Sequence, residues 1–533
     1  MAKHKFDTLG VMLDMSRNAV MRPDSLEKLL PLLKKMGYNL VMLYTEDTYE
    51  IDGEPYFGYM RGRYSKQELK DIDALARSLG MELVPCVQTL AHLNGTLRWK
   101  QIPTDCDDIL LCDDEKTYEF LQRMFDTLAE CFSSKRIHIG MDEAHNLGRG
   151  KHLDIHGYEP VHTIMKRHLD RILPMIHQHW DEVLIWSDMY FRPWNNGKYR
   201  IGRTQMPQEV IDSLPQGITP VYWDYYQDNQ DGYSAMMENH TQLSKNTWFA
   251  GGVWCWYGFA PHNKFSLDSM LPAIRACREN NIRHMFMTMW GDNGHECSRY
   301  SQLSALHYIA CYAKGIEDEN LIKARFKRLI GMEFDDFMAL DLANDVLPYE
   351  AAPKNPCKYM LYSDPFSGFL DYTVAPGAGK NYGVYAQRLH AIAKKSRRYG
   401  YIFETQARLC DLLEIKYELG VNTRRAYTQK DMAELKRLAV KDYTLAIHHL
   451  EKFIEAFRHQ WMLENKPHGF QVHELRLGGT LLRLKSCQKR LMELVAGKID
   501  SIPELEDEVL PFGEKERSIN ANNYALYSTT QVF

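Results

Sequence analysis

The chain has 533 residues, 45% hydrophobic and 25% charged, with a formal net charge of −5. These are the proportions of a soluble globular protein of two or three domains, and they carry no electrostatic footprint of a nucleic-acid or anionic-membrane binder. No apolar run reaches the roughly 18 residues of a membrane span, and eleven cysteines occur without a CxxC pair. The first strand begins almost at once, leaving no room for a signal peptide, so a cytoplasmic location with reduced thiols is expected.

Taken in chain order, β-rich runs alternate with amphipathic helical stretches from residue 8 to 315. The strands expected are Thr8–Asp14, Asn39–Tyr44, Glu82–Gln88, Lys135–Gly140, Glu182–Trp186, Thr219–Trp223, Trp248–Trp254 and His284–Trp290. A helix over Ser25–Met36 stops at Gly37, although Pro31 lies inside it. Ser65-Lys-Gln-Glu68 is a capping box for a helix with Leu69, Ile72, Leu75, Ala76 and Leu79 on one face. A last helix, Gln302–Ala313, follows the eighth strand. Strict alternation of eight strands and eight helices indicates a (β/α)8 TIM barrel. A doubly wound sheet would show a glycine-rich loop after its first strand, where this chain has Asp14-Met-Ser-Arg17-Asn.

The expected domains are therefore a catalytic barrel over 1–315, a helical connection with a Pro/Gly/aromatic loop over 316–383, and an α-helical C-terminal bundle over 384–533. Periodic segments near 385–398, 401–418, 431–465 and 471–497 supply that bundle, and the tail after Ile502 reads as irregular.

In a barrel the C-terminal ends of the strands converge on one cavity. Here those ends carry Asp14 and Arg17, then Tyr44-Thr-Glu46-Asp47, then Gln88 and His92, then Asp142-Glu143. The later strands end in Trp186-Ser-Asp188, Trp223-Asp-Tyr225-Tyr226, Trp254-Cys-Trp256-Tyr257 and Trp290-Gly-Asp292-Asn293. Asp-Glu also occurs at 114–115, 181–182, 318–319 and 507–508, but only the pair at 142–143 terminates an apolar strand carrying a His and a Gly. Four tryptophans at equivalent strand ends, beside carboxylates and an Arg, suit a sugar ring, whose C–H faces stack on indole and whose hydroxyls bond charged groups.

Glycoside hydrolysis by two carboxylates needs them to face each other across the scissile bond, about 5–9 Å apart. Consecutive residues on an extended strand point to opposite sides, which is a poor arrangement for that purpose. A different division of labour follows. Glu143 would act on the leaving oxygen as general acid. Asp142 would hold the substrate's own nucleophile, the 2-acetamido group, whose carbonyl oxygen attacks C1.

Residues 5–315 resemble the family 20 glycoside hydrolases, the β-N-acetylhexosaminidases. The resemblance rests on Asp14-Met-Ser-Arg17, His138-Ile-Gly-Met-Asp142-Glu143, Trp186, Trp223, Trp256-Tyr257 and Trp290-Gly-Asp292. It implies that Asp142 orients the acetamide, that Glu143 is acid and then base, and that Arg17 clamps outer hydroxyls. Trp186, Trp223, Trp254 and Trp290 would line the site. Tyr257 would bond the acetamide oxygen; Phe259 stands where the family usually has Asp, so Tyr225 competes for this role. Asp292 stands where the family more often has Glu, and His92 matches a family His near the third strand. The helical C-terminal half resembles a small intracellular bacterial subgroup that lacks an N-terminal α/β domain. Within it, the aromatics of the loop over Tyr359–Asp371 are expected to approach the site.

The implied activity is retaining exo-hydrolysis of terminal β-linked GlcNAc, with GalNAc left open, through an oxazolinium intermediate. The alternatives are a β-N-acetylgalactosaminidase of another acetamido-dependent barrel family and a non-catalytic sugar-binding barrel. No cofactor or metal is expected. His152 and His156 are spaced i, i+4 without the Glu of a zincin helix and read as surface or capping residues. The expected partners are a small glycoside or oligosaccharide and a second copy in a homodimer, with no nucleic acid and no membrane.

Overall fold

A computed structural model describes residues 5–347, 354–510 and 523–529. Eight parallel strands close into a barrel: β1 (Thr8–Asp14), β2 (Leu40–Thr45), β3 (Glu82–Val87), β4 (Arg136–His138), β5 (Glu182–Trp186), β6 (Ile218–Trp223), β7 (Trp248–Gly252) and β8 (His284–Met289). Each pairs with its sequence neighbour, and β8 closes on β1 in the register Gly10↔Phe286 and Met12↔Thr288. All seven residues of β1 are buried, as expected of strands covered on both faces.

The helices between the strands follow local signals. Pro23 pre-sets the first turn of the helix Pro23–Met36, and Gly37 ends it at φ 106°, its N–H bonding the carbonyls of Leu33 and Lys34. Ser65 and Glu68 form the reciprocal capping box of the helix Lys66–Ser78. That helix buries Leu69, Ile72 and Ala76 but leaves Leu75 and Leu79 half-buried; the fourth buried position is Asp73. Asp73 is tolerated there because it pairs with Arg77 and accepts from Ser133. A two-stranded antiparallel hairpin, Thr104–Cys106 with Ile109–Leu110, interrupts the connection after β3 and has no counterpart in the sequence reading.

The chain divides into two compact units. The first comprises Met1–Val253, Ser266–Trp290 and Ala305–Ile322 and holds the barrel strands. The second comprises Trp254–Phe265, Gly291–Ser304 and Lys323–Phe533 and is helical. Its long helices are Gly379–Ala393, Gly400–Lys416, Thr444–Glu464 and Phe470–Val495. The segment over 431–465, read as one helix, is an α-helix that passes through a π-helical stretch at Leu438–Tyr443. The expected connection over 316–383 contains, in its Pro/Gly/aromatic part, the helix Pro356–Tyr362, started by Pro at its first position; residues 348–353 lie outside the described residues. Lys416, fully buried, donates from Nζ to the carbonyls of Met360 at 2.8 Å and Ser363 at 2.6 Å and so closes that helix. The tail carries the short helices Pro503–Glu506 and Ala525–Ser528, with 511–522 outside the described residues. Among the described residues, no helix is long and apolar enough to cross a membrane.

Candidate active site

The β4 strand stops earlier than its apolar pattern suggests. Gly140, Met141 and Glu143 all take left-handed backbone, with φ of 74°, 71° and 51°. For Met and Glu this conformation is strained, and such strain persists where surroundings over-determine it. Gly140 is required: a Cβ there would lie 2.2 Å from Gln88 Oε1 and 2.6 Å from the Val87 carbonyl. The turn corrects the expectation that Asp142 and Glu143 point to opposite sides, because the alternation of an extended strand no longer applies. Both carboxylates instead face His92, whose Nε2 is 3.3 Å from Asp142 Oδ2 and 3.8 Å from Glu143 Oε2.

Asp142 is buried and anchored. Gln88, just past β3, donates from Nε2 to Asp142 Oδ1 at 2.7 Å and accepts the Met141 N–H at 3.1 Å through its own Oε1. Burial pushes the Asp142 carboxyl up, but the facing His92, Gln88 and Arg17 outweigh it and hold it at about 2. Burial pulls His92 down, and the Asp142 carboxylate overcomes this and lifts it to about 9. The pair is therefore imidazolium and carboxylate at neutral pH. Glu143 differs in access: its side chain is 39% exposed where that of Asp142 is 9%.

Arg17, after β1, is fixed from several sides. Its backbone N–H and Nη1 bond Asp14, and its Nε lies 3.0 Å from Glu46 Oε1. Its guanidinium sits over the rings of Tyr44 at 4.8 Å and Trp290 at 4.7 Å. Trp290 in turn packs against Trp186, ring centroids 6.0 Å apart, and Trp186 against His138 at 4.2 Å. Trp223 stacks on Tyr225 at 5.7 Å and 25°. The first unit thus brings together Arg17, His92, Asp142, Glu143, Trp186 and Trp290, with Trp223 and Tyr225 joined to them through Asp188.

Asp188 and Arg192 are the part that sequence reasoning did not assign. Asp188, fully buried after β5, accepts the Glu143 N–H at 3.1 Å and Trp223 Nε1 at 3.3 Å. Arg192 bridges it to the catalytic candidate, with Nε 3.0 Å from Asp188 Oδ2 and Nη2 3.3 Å from Glu143 Oε1. Burial, then the charges of Asp142 and Glu143, push the Asp188 carboxyl up to about 7. The Asp-x-x-x-Arg spacing across two consecutive 3-10 turns, Asp188–Tyr190 and Arg192–Trp194, was the available signal.

Trp254, Tyr257 and Asp292 belong to the second unit. There Trp254 stacks on Trp256 at 4.1 Å and meets Tyr257 edge-on at 4.9 Å. Asn355 donates to the Tyr257 carbonyl at 2.6 Å. The turn containing Asp292 is held by Arg476, which donates to the Asn293 carbonyl at 2.9 Å. Of the aromatics in 359–371, Tyr359, Tyr362 and Phe366 are buried within this unit.

His152 is not the surface residue expected: it is 1% exposed, with Nε2 2.8 Å from Glu159 Oε2, while His156 is exposed. With Asp113 they bring potential ligand atoms within 4.8 Å of one another. Arg167 already holds both Asp113 oxygens, at 3.1 and 2.7 Å, and its charge opposes a cation there.

Residues 9–247 match the glycosyl hydrolase family 20 catalytic domain, and residues 335–523 match the glycoside hydrolase 20C C-terminal domain. Hexosaminidase D of Bos taurus is 22% identical over 272 residues, covering 48% of this chain and 73% of that protein. Hexosaminidase D of Homo sapiens is 24% identical over 216 residues, 38% of this chain and 42% of that one. Among solved structures, a family 20 exo-β-N-acetylglucosaminidase from Vibrio harveyi is 14% identical with a TM-score of 0.47, covering 63% of this chain and 58% of its own. The matched catalytic and C-terminal domains are those of one family, and the chain belongs to glycoside hydrolase family 20 as a glycoside hydrolase.

Proposed function

We propose that the protein is a retaining exo-β-N-acetylhexosaminidase that releases terminal β-linked GlcNAc by substrate-assisted catalysis. The observation that carries this reading is the unequal pair on one turn. Asp142 is buried, ionised and immobilised by Gln88 and His92, whereas Glu143 beside it is open to solvent. A pair sharing one histidine on one side is not built to attack from opposite faces of a sugar, so the nucleophile belongs to the substrate.

In the first step the acetamide oxygen attacks C1 as the bond from C1 to the leaving oxygen breaks. Glu143 supplies the proton to that oxygen, and an oxazolinium ring forms. Asp142 accepts the acetamide N–H and balances the positive charge developing on the ring. In the second step Glu143 takes a proton from water, which attacks C1 and reopens the ring with retention. Arg17, braced by Asp14 and Glu46, bonds outer hydroxyls, while Trp186, Trp223 and Trp290 bound the sugar; of the two tyrosines that the resemblance offers for the acetamide oxygen, Tyr257 and Tyr225, the latter stacks on Trp223.

The test is hydrolysis of a panel of aryl β-glycosides. Aryl β-GlcNAc is cleaved with retention, a thiazoline analogue of the intermediate inhibits strongly, and Glu143→Gln is inactive while still binding. Equal cleavage of plain β-glucosides without inhibition by the thiazoline would refute the mechanism. Comparing kcat/KM on aryl GlcNAc and GalNAc epimers sets the sugar preference.

A further inference from the structure

Two exposed tyrosines and a half-buried tryptophan cluster on the connections after β2 and β3. Tyr56 is 44% exposed and Tyr59 49% exposed, and both pack on Trp99, with ring centroids 5.8 and 5.5 Å from it. Tyr56 and Tyr59 also meet each other edge-on at 6.2 Å. Arg98 lies over the Trp99 ring at 5.3 Å, and Met60, 66% exposed, extends the patch. Single exposed aromatics are ordinary, whereas exposed aromatics packed on one another and on a tryptophan are a candidate binding surface.

The patch is held in shape from below. Phe57, between the two tyrosines, is 1% exposed and packs on Tyr49 at 5.0 Å and Phe120 at 5.7 Å. Arg123 clamps Glu54 with two bonds, and Arg63 donates to the Phe57 carbonyl. The loop therefore presents Tyr56 and Tyr59 without needing to be ordered on binding, which favours affinity.

Its location follows from the topology. Connections after the strands all lie at the C-terminal face of the barrel, where the active site is. The two connections are joined at their bases by Asp47, whose Oδ2 would be 2.5 Å from a Cβ on Gly95. Asp47 also pairs with Arg61, which donates to the carbonyl of Ser16, the neighbour of Arg17. On the other connection, the short helix Asn94–Leu97 lies between Trp99 and His92, the residue that touches Asp142 and Glu143. That length of chain, partly helical, spans on the order of 10–20 Å. The patch thus lies on connections at the face of the barrel that carries Glu143, with Trp99 within that length of chain from His92.

We propose that Tyr56, Tyr59 and Trp99 form a platform for the sugar rings attached to the leaving oxygen, so that the natural substrate is an oligosaccharide rather than a simple glycoside. This rests on the function proposed above. The apolar C–H faces of pyranose rings pack on aromatic faces, and Arg98 adds donors for their hydroxyls.

The test compares two substrates that share an alcohol leaving group: methyl β-GlcNAc, with no further ring, and a β-linked GlcNAc trisaccharide. Trp99→Ala and the double variant Tyr56→Ala/Tyr59→Ala should lower kcat/KM on the trisaccharide about tenfold or more, while methyl β-GlcNAc changes less than about twofold. Trp99→Phe should keep most of the trisaccharide activity. Equal losses on both substrates, or a trisaccharide loss under twofold, would overturn the platform. A wild-type protein that cleaves neither substrate would instead overturn the function on which the platform rests.

Discussion

The two ends of β4 carry similar charges to opposite purposes. At its N-terminal end Arg136 lies between Glu82, which opens β3, and Glu182, which opens β5, with all three side chains between 27% and 30% exposed. At its C-terminal end, acids and bases from the same three connections, His92, Asp142, Glu143 and Asp188, meet, with left-handed backbone at His92 and Glu143, and two of the carboxylates are buried. The lower cluster is compensated and wet, so it ties strands together at little cost. The upper cluster pushes Asp142 down to about 2, and His92 and Asp188 up to about 9 and 7. Perturbed groups gathered where three neighbouring strands end are the physical mark of a site arranged for proton transfer.

The contrast can be broken by substitution. Glu143→Gln should lower kcat on aryl β-GlcNAc about 1,000-fold with little change in Tm, because an exposed side chain is altered and only its proton chemistry is lost. Gly140→Ala forces a Cβ into Gln88 on backbone that disfavours it. It should cost about 2–3 kcal/mol in chemical denaturation and about 100-fold in kcat/KM by displacing Asp142.

His92 gives a pH test. Its pKa in the folded protein lies above the ordinary value near 6.5, so the stability from its ion pair is complete below about pH 6.5. That contribution is lost as pH rises through about 9. The Tm should therefore fall over this interval, kcat/KM should drop about tenfold once His92 is neutral, and His92→Gln should flatten the Tm response. Arg136→Ala is the smallest effect and the control: about 1 kcal/mol in stability and less than twofold in kcat. A large loss of activity from Arg136→Ala would erase the distinction between the two ends.

Much of the barrel was legible in the sequence. Strands β1 and β5 run over Thr8–Asp14 and Glu182–Trp186, as the apolar runs indicate, because a covered parallel strand is apolar throughout. The reading fails at β4, extended to Gly140 where the strand ends at His138. Residues 139–141 remain buried, so hydrophobicity continues after the backbone has turned. Asp142 and Glu143 were visible by their position at a strand end. Their shared orientation toward His92 was not, because it depends on left-handed φ values that composition does not encode.

The same limit hid Arg192. Its contact with Glu143 joins connections after β4 and β5, and no periodicity links residues 143 and 192. The helix Pro356–Tyr362 was read as a loop because prolines and glycines surround it, although Pro at its first position favours a helix.

By itself, the sequence determined the eight-strand alternation, the helix stops and the placing of two acids at the end of the fourth strand. These depend on residue type and spacing over a few positions. Tertiary structure alone decided which way those acids face, which of them is dry, and that Arg192, Asp188 and Gln88 surround them. Orientation and burial are set by neighbours from other strands, and only closure of the barrel brings those neighbours within hydrogen-bonding distance.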